Sequence, residues 1–133
     1  MFSKLNRKKK KKGFTLIELV IVLAVLAIIA LIAIPNFTKV RNDSLAKADA
    51  RTAEQIEKIT LMAIANQDVP ATTTTFNIKG SKIVQSSVEG VNIDNYNSMI
   101  KEVKDPQVNG TENYKVDIMG DGSVKVTVTT KSK

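Results

Sequence analysis

A single charged side chain, Glu18, interrupts the stretch from residue 14 to residue 34, FTLIELVIVLAVLAIIALIAI. In apolar surroundings a carboxylate has one useful chemistry, which is to pair with a cation. At the centre of a bilayer it costs about 2.5–3.5 kcal/mol on insertion scales, and less near the interface. It therefore either stays hydrated at the surface or meets a partner charge. Other reactive groups are scarce. The chain has no Cys, which removes disulfides, thiolate nucleophiles and cysteine metal sites. It has no His, the commonest general base and transition-metal ligand. It lacks Trp and has few aromatics, so it offers no stacking platform for bases or sugars. Catalysis would fall to carboxylates, Lys, Ser or Tyr alone, and no motif joins these into a site. The chain reads as a non-enzyme without a cofactor.

Glu18 is positioned by the run around it. As a helix, those 21 residues rise about 31 Å, matching a hydrocarbon core of about 30 Å. Seven of the 20 basic residues, Lys4, Arg7 and Lys8 through Lys12, precede the run. Basic residues on that side alone keep the N-terminus cytoplasmic and send the C-terminal part outside. The rest of the chain carries 13 basic and 13 acidic residues, so the net charge of +7 belongs to a terminal tag. It does not describe a nucleic-acid-binding face, and no specific nucleic-acid partner is expected. A cleaved secretory signal would have a shorter apolar stretch followed by a polar cleavage region, which is missing here. A plain membrane anchor for an extracellular binding module stays open at this point.

The junction Lys11-Lys12-Gly13-Phe14-Thr15-Leu16-Ile17-Glu18-Leu19-Val20 decides the weighting. With the Val/Ile/Leu/Ala helix and the Ile34-Pro35-Asn36 step that follow, it resembles the type IV prepilin family, pseudopilins included. The likeness is close over about residues 7–40 and only architectural beyond about residue 66. It implies cleavage by a membrane aspartyl peptidase between Gly13 and Phe14, N-methylation of Phe14, and retention of the apolar run. Glycine suits such a junction because it lacks a side chain and adopts an extended conformation in a cleft. Losing the lysines also removes charges that resist extraction of the helix from the bilayer. Glu18 matches the family's assembly glutamate. The freed amine of Phe14 is largely cationic at neutral pH. It lies four residues, about 6 Å of rise, from Glu18. Two pairings are open: Glu18 with the Phe14 amine of a neighbouring helix, which sets an axial stagger, or with its own.

Pro35 cannot donate to the carbonyl of Leu31 and its ring crowds that turn, so a kink is expected there. The helical pattern nevertheless continues. Phe37, Val40, Leu45, Ala48, Thr52, Ile56, Ile59 and Ala63 recur at three- or four-residue spacing, with charged residues on the other face. This predicts one kinked helix over residues 14–66, ended by the segment leading to Pro70. Thr72 to Lys79 is β-branched and reads as a strand, with an exposed linker or glycosylated patch as the other reading. Lys82 to Ser87 is a possible second strand. Residues 94–104 allow a short helix capped by Asp94. Asp105-Pro106 and Asn109-Gly110 read as turns. Tyr114, Val116 and Ile118, then Gly120-Asp121-Gly122, then Val124, Val126 and Val128 predict a β-hairpin with one apolar face.

The expected fold is therefore α+β. A long kinked N-terminal helix, membrane-spanning in its first half, carries a small antiparallel sheet on its second half. The expected organisation is a cleaved basic leader over 1–13, a helix over 14–66 whose 14–34 segment spans the membrane and assembles, and a β-rich head over 67–133. Asp117 and Asp121 could ligate Ca²⁺, as in some pseudopilin heads, but Asp beside Gly is usually a turn residue. Asn-x-Ser/Thr strings at Asn36, Asn42 and Asn109 are chance matches. Unlike many Gram-negative relatives, the chain lacks two C-terminal cysteines, which points to a branch without that disulfide, in a single-membrane bacterium. The resemblance implies a pilin-like subunit that polymerises into a surface filament for adhesion, motility or aggregation. The alternative within the family is a pseudopilin of a type II secretion or DNA-uptake system. Implied partners are copies of itself, the prepilin peptidase and methyltransferase, the pilus assembly machinery and the membrane. The implied location is the cell membrane as a precursor, then the extracellular pilus.

Overall fold

A computed structural model describes residues 13–132. The element order is α1 (Leu16–Ala65), β1 (Thr74–Lys79), β2 (Lys82–Ile83), α2 (Ile93–Met99), β3 (Thr111–Ile118) and β4 (Val124–Thr130). The fold is α+β: a long N-terminal helix and a small four-stranded antiparallel sheet, in a pilin-like arrangement. It divides into two units, one through Lys39 and one from Val40 onward. α1 runs through both, with Pro35 in its interior.

In the first unit no other described residue of that unit covers α1. From Gly13 to Lys39 every residue except the half-buried Ala30 is exposed. Leu16, Ile17, Leu23, Ile28 and Leu31 are among the apolar side chains that face outward on all sides. A helix apolar all round satisfies its own backbone but needs an apolar surrounding.

The second unit contains the core. Its sheet has the order β2-β1-β3-β4, with every pair antiparallel. Alternation puts Phe76 and Ile78 of β1, and Tyr114, Val116 and Ile118 of β3, on the buried face. Phe76 lies opposite Val116, which lies opposite Val126 of β4, so apolar residues pair across three strands. Ile56 and Ala63 of α1, with Tyr96 of α2 and Ile100 and Val103 after it, complete the cluster. The ring of Tyr96 stands edge-on to Phe76 at 5.2 Å. Its hydroxyl shares a 2.7 Å hydrogen bond with Thr60 Oγ1, which itself donates to the Ile56 carbonyl.

The buried stripe of α1 agrees with the predicted one at Ile56 and Ala63, with Leu45, Thr52 and Ile59 half-buried, and departs from it elsewhere. Phe37, Val40 and Ala48 are exposed. The buried positions are Asp49, Ile56, Thr60 and Ala63. Asp49, assigned by charge to the outer face, is only 3% exposed. Its carboxylate accepts the backbone N–H groups of Gln107 at 2.8 Å and Val108 at 3.1 Å, which clamps the loop before β3 to the helix. Each N–H left without an acceptor costs about 1–3 kcal/mol. Asp49→Ala is therefore expected to lower stability by about 3 kcal/mol, and Asp49→Asn by roughly half of that, since one oxygen remains. Denaturant titration of the detergent-solubilised chain checks both values.

Local endings differ from expectation for identifiable reasons. α1 is closed by a left-handed Gln67 (φ 64°), with Asp68 N–H bonded to the Ala63 carbonyl and Gln67 N–H to that of Ile64. Pro70 follows after the helix has already ended. α2 is capped by Asn92, whose side chain accepts Asn95 N–H at 3.2 Å; Asp94 lies inside the first turn. The helix stops at Met99, well short of residue 104. β1 begins at Thr74, and the second strand shrinks to Lys82–Ile83. Beyond it Val84 N–H still bonds the Asn77 carbonyl at 2.8 Å, but Asn77 N–H goes to the Gln85 side chain instead of the neighbouring backbone. The β3–β4 hairpin turns as expected, with Gly122 at φ 84° and Gly122 N–H bonded to the Met119 carbonyl.

Candidate functional site

Gly13, Phe14 and Glu18 lie together at the start of α1; the basic residues 1–12 of the expected leader fall outside the described residues. Gly13 precedes the helix in an exposed, irregular segment, and a Cβ added there would meet nothing within 4 Å. Its smallness is not required by this fold. Any need for glycine at this position comes from something that binds the chain. Phe14 is 94% exposed, which leaves the peptide bond between them accessible.

Glu18 is held by a contact that charge and hydropathy did not reveal. Its Oε2 accepts Thr15 N–H at 3.1 Å, while Thr15 Oγ1 accepts Glu18 N–H at 3.3 Å. This reciprocal pair is a capping box, which satisfies two otherwise orphaned donors of the helix N-terminus. The signal was present in the sequence as Thr-x-x-Glu before an apolar run. The helix dipole adds to it, because a carboxylate is favoured at this end. Glu18 Oε1 has no partner among the described residues and is open to a cation. Phe14, Leu19 and Val22 flank the carboxylate with apolar surface. The arrangement aims a fixed negative charge out of an apolar helix end.

The two weaker candidates are not brought into one site. Asp117 Oδ1, in β3, accepts from Thr75 Oγ1 at 2.8 Å and faces Lys115 Nζ at 3.6 Å. Asp121, in the hairpin turn, accepts from Ser123 Oγ at 2.6 Å and Ser123 N–H at 2.9 Å. Those bonds from Ser123 hold its carboxyl below the usual carboxylate range. Among the described residues no three His, Cys, Asp or Glu side chains gather as a metal site would require. Added Ca²⁺ is accordingly expected to leave the melting temperature unchanged in the wild type and in Asp121→Ala. A Ca²⁺-dependent rise lost in that variant would contradict this.

Two tyrosines in the core are ionisable groups with displaced titration. Burial pushes Tyr96 up to about 12, opposed in part by its Thr60 bond. Tyr114 also rises to about 12, through burial first and the nearby charges of Asp49 and Asp105 last. The unfolded chain loses these protons near pH 10 and the folded chain near 12, so stability falls as pH rises through that window and is untouched below it. Tyr96 alone contributes about 2–3 kcal/mol of that fall. Circular dichroism against pH should show Tyr96→Phe unfolding at higher pH than wild type.

Comparison with known proteins adds two findings. The prokaryotic N-terminal methylation motif family matches residues 8–34. The chain is 32% identical over 126 residues to the prepilin peptidase-dependent protein A of Clostridium perfringens (strain 13 / Type A), covering 92% of this chain and 88% of that protein. No solved structure gives a significant match.

Proposed function

The chain belongs to the type IV pilin and pseudopilin family, and on that premise we propose that it is a pilin-like structural subunit of a surface filament. It is made as a single-pass membrane precursor, cut between Gly13 and Phe14, N-methylated at Phe14, and polymerised through its N-terminal helices. The segments proposed are a leader over 1–13, a helical segment over 14–66 in which α1 takes Leu16–Ala65, and a head over 67–133, with Pro35 as the place where the helix can bend. The observation that carries this reading is the apolar helix half left uncovered by the described residues: from Leu16 to Lys39 none is buried. Such a surface needs lipid before assembly and other copies of itself afterwards. The name of the clostridial relative supports a prepilin peptidase as the processing partner.

N-terminal sequencing and mass spectrometry of sheared filaments test the proposal. The expected subunit starts at N-methylated Phe14. A start at Met1, or at any residue beyond 34, would overturn it. Electron microscopy of the same cells separates the two family readings, since a secretion or DNA-uptake piston would not extend beyond the wall.

A further inference from the structure

Asn109-Gly110 is the chain's one Asn-Gly pair. Both residues are exposed, in a turn closed by Thr111 N–H bonded to the Val108 carbonyl at 3.2 Å. Gly110 has φ 84° and Asn109 does not have a positive φ, the pattern of a type II turn with glycine at its third position. A Cβ on Gly110 would meet nothing within 4 Å, so the space beside its Cα is open. Among the described residues the Gly110 N–H has no hydrogen-bond partner. The turn is nevertheless pinned on both sides. Asp49 holds Gln107 and Val108, and Lys131 N–H is bonded to the Gly110 carbonyl at 2.9 Å.

We propose that Asn109 is a self-modification site, converted by its own neighbour's backbone nitrogen, with the Asp49 clamp setting the rate. Gly110 N, giving its proton to water, attacks Asn109 Cγ. The new N–Cγ bond forms as the carboxamide C–N bond breaks and ammonia leaves with a proton. Water then opens the five-membered imide. Breaking the bond at Cγ yields aspartate; breaking it at the main-chain carbonyl yields isoaspartate, whose backbone is one methylene longer. Asparagine and water become the acid and ammonia, and no other reactant is needed. Ring closure requires the Asn109–Gly110 peptide to swing toward the side chain, which the type II turn opposes. The turn must open first, and the clamp resists that opening. The product places a new carboxylate one residue beyond the amide that Asp49 holds, so each conversion weakens the clamp. In an assembled filament, converted subunits would accumulate with age.

The test incubates the full chain in detergent micelles at mildly alkaline pH, followed by peptide mapping and enzymatic methylation of isoaspartate. Conversion is expected at Asn109 before Asn42, Asn77 or Asn97, and severalfold faster in Asp49→Asn than in wild type. Urea-unfolded wild-type chain supplies the unclamped rate, and the Asp49→Asn rate should lie between that and the native one. Asn109→Gln, which would have to close a larger ring, should show no conversion in this peptide. Earlier conversion at another asparagine, or an intact Asn109, would overturn the site. Equal rates in native wild type, unfolded wild type and Asp49→Asn would overturn the clamp.

Discussion

Replacing Gly13 with valine is expected to leave the chain at full precursor mass in the membrane fraction and to remove filaments from the surface. The fold does not object to the substitution: Gly13 lies outside α1, and its side-chain space is open. Thermal stability of the purified precursor should therefore be unchanged, which distinguishes lost recognition from misfolding. A β-branched residue has restricted rotamers and fills the cleft space that an extended glycine leaves free. A loss of about a hundredfold or more in cleavage rate, roughly 2.7 kcal/mol in the transition state, is the expected scale. Uncut chains would retain seven basic residues at the cytoplasmic surface, and those charges oppose extraction of the helix. Gly13→Ala should be cut slowly and give sparse filaments. Normal processing of the valine variant, read by immunoblot against the mature form, would reject Gly13 as the cleavage residue.

Physical locality explains which features were readable before the fold was known. The apolar run is a property of composition alone, and the Tyr114–Ile118 and Val124–Val128 alternation needs only period two; the helix and both strands form there, with burial alternating in β3 and not in β4. The Thr15–Glu18 box is equally local, three residues apart, but hydropathy hides it by drawing attention to Glu18's charge rather than its spacing. Asp49 is different in kind. Its partners are Gln107 and Val108, 58 and 59 residues away, and nothing near position 49 announces them. A charged residue at helical spacing therefore looks like an outer face. Thr60 is the same case, because its partner Tyr96 lies 36 residues on. The short second strand has a competing side-chain acceptor, Gln85, that strand propensity does not weigh. Asn92 and Asp94 are near-equal caps by type. Asn92 wins through packing: its N–H also reaches the Asp68 carbonyl at 2.7 Å, which fixes the entry into α2.

Glu18→Ala is expected to insert normally and assemble poorly, and the capping box makes a sharper experiment possible. Removing a carboxylate from an apolar helix makes insertion easier, so the membrane level of the precursor should not fall. In the proposed filament the Phe14 amine of a neighbouring copy would then lie in an apolar core without its counter-charge. Breaking one side of a buried pair costs about 3–5 kcal/mol, and a polymer repeats that loss at every interface. The same substitution also removes one half of the cap, worth about 1 kcal/mol of helix-end stability. Glu18→Gln separates the two effects, because glutamine serves in a capping box but carries no charge. If charge pairing sets the stagger, Gln should fail almost as completely as Ala. If the cap is what assembly requires, Gln should restore filaments and Thr15→Val, which removes the hydroxyl acceptor, should abolish them. The pairing reading predicts only a modest loss from Thr15→Val, since Glu18 keeps its charge and the Thr15 N–H. Filament yield beside precursor level for the three variants decides between these outcomes. Wild-type yield from Glu18→Ala would show that Glu18 is neither the register-setting partner nor a cap that assembly needs.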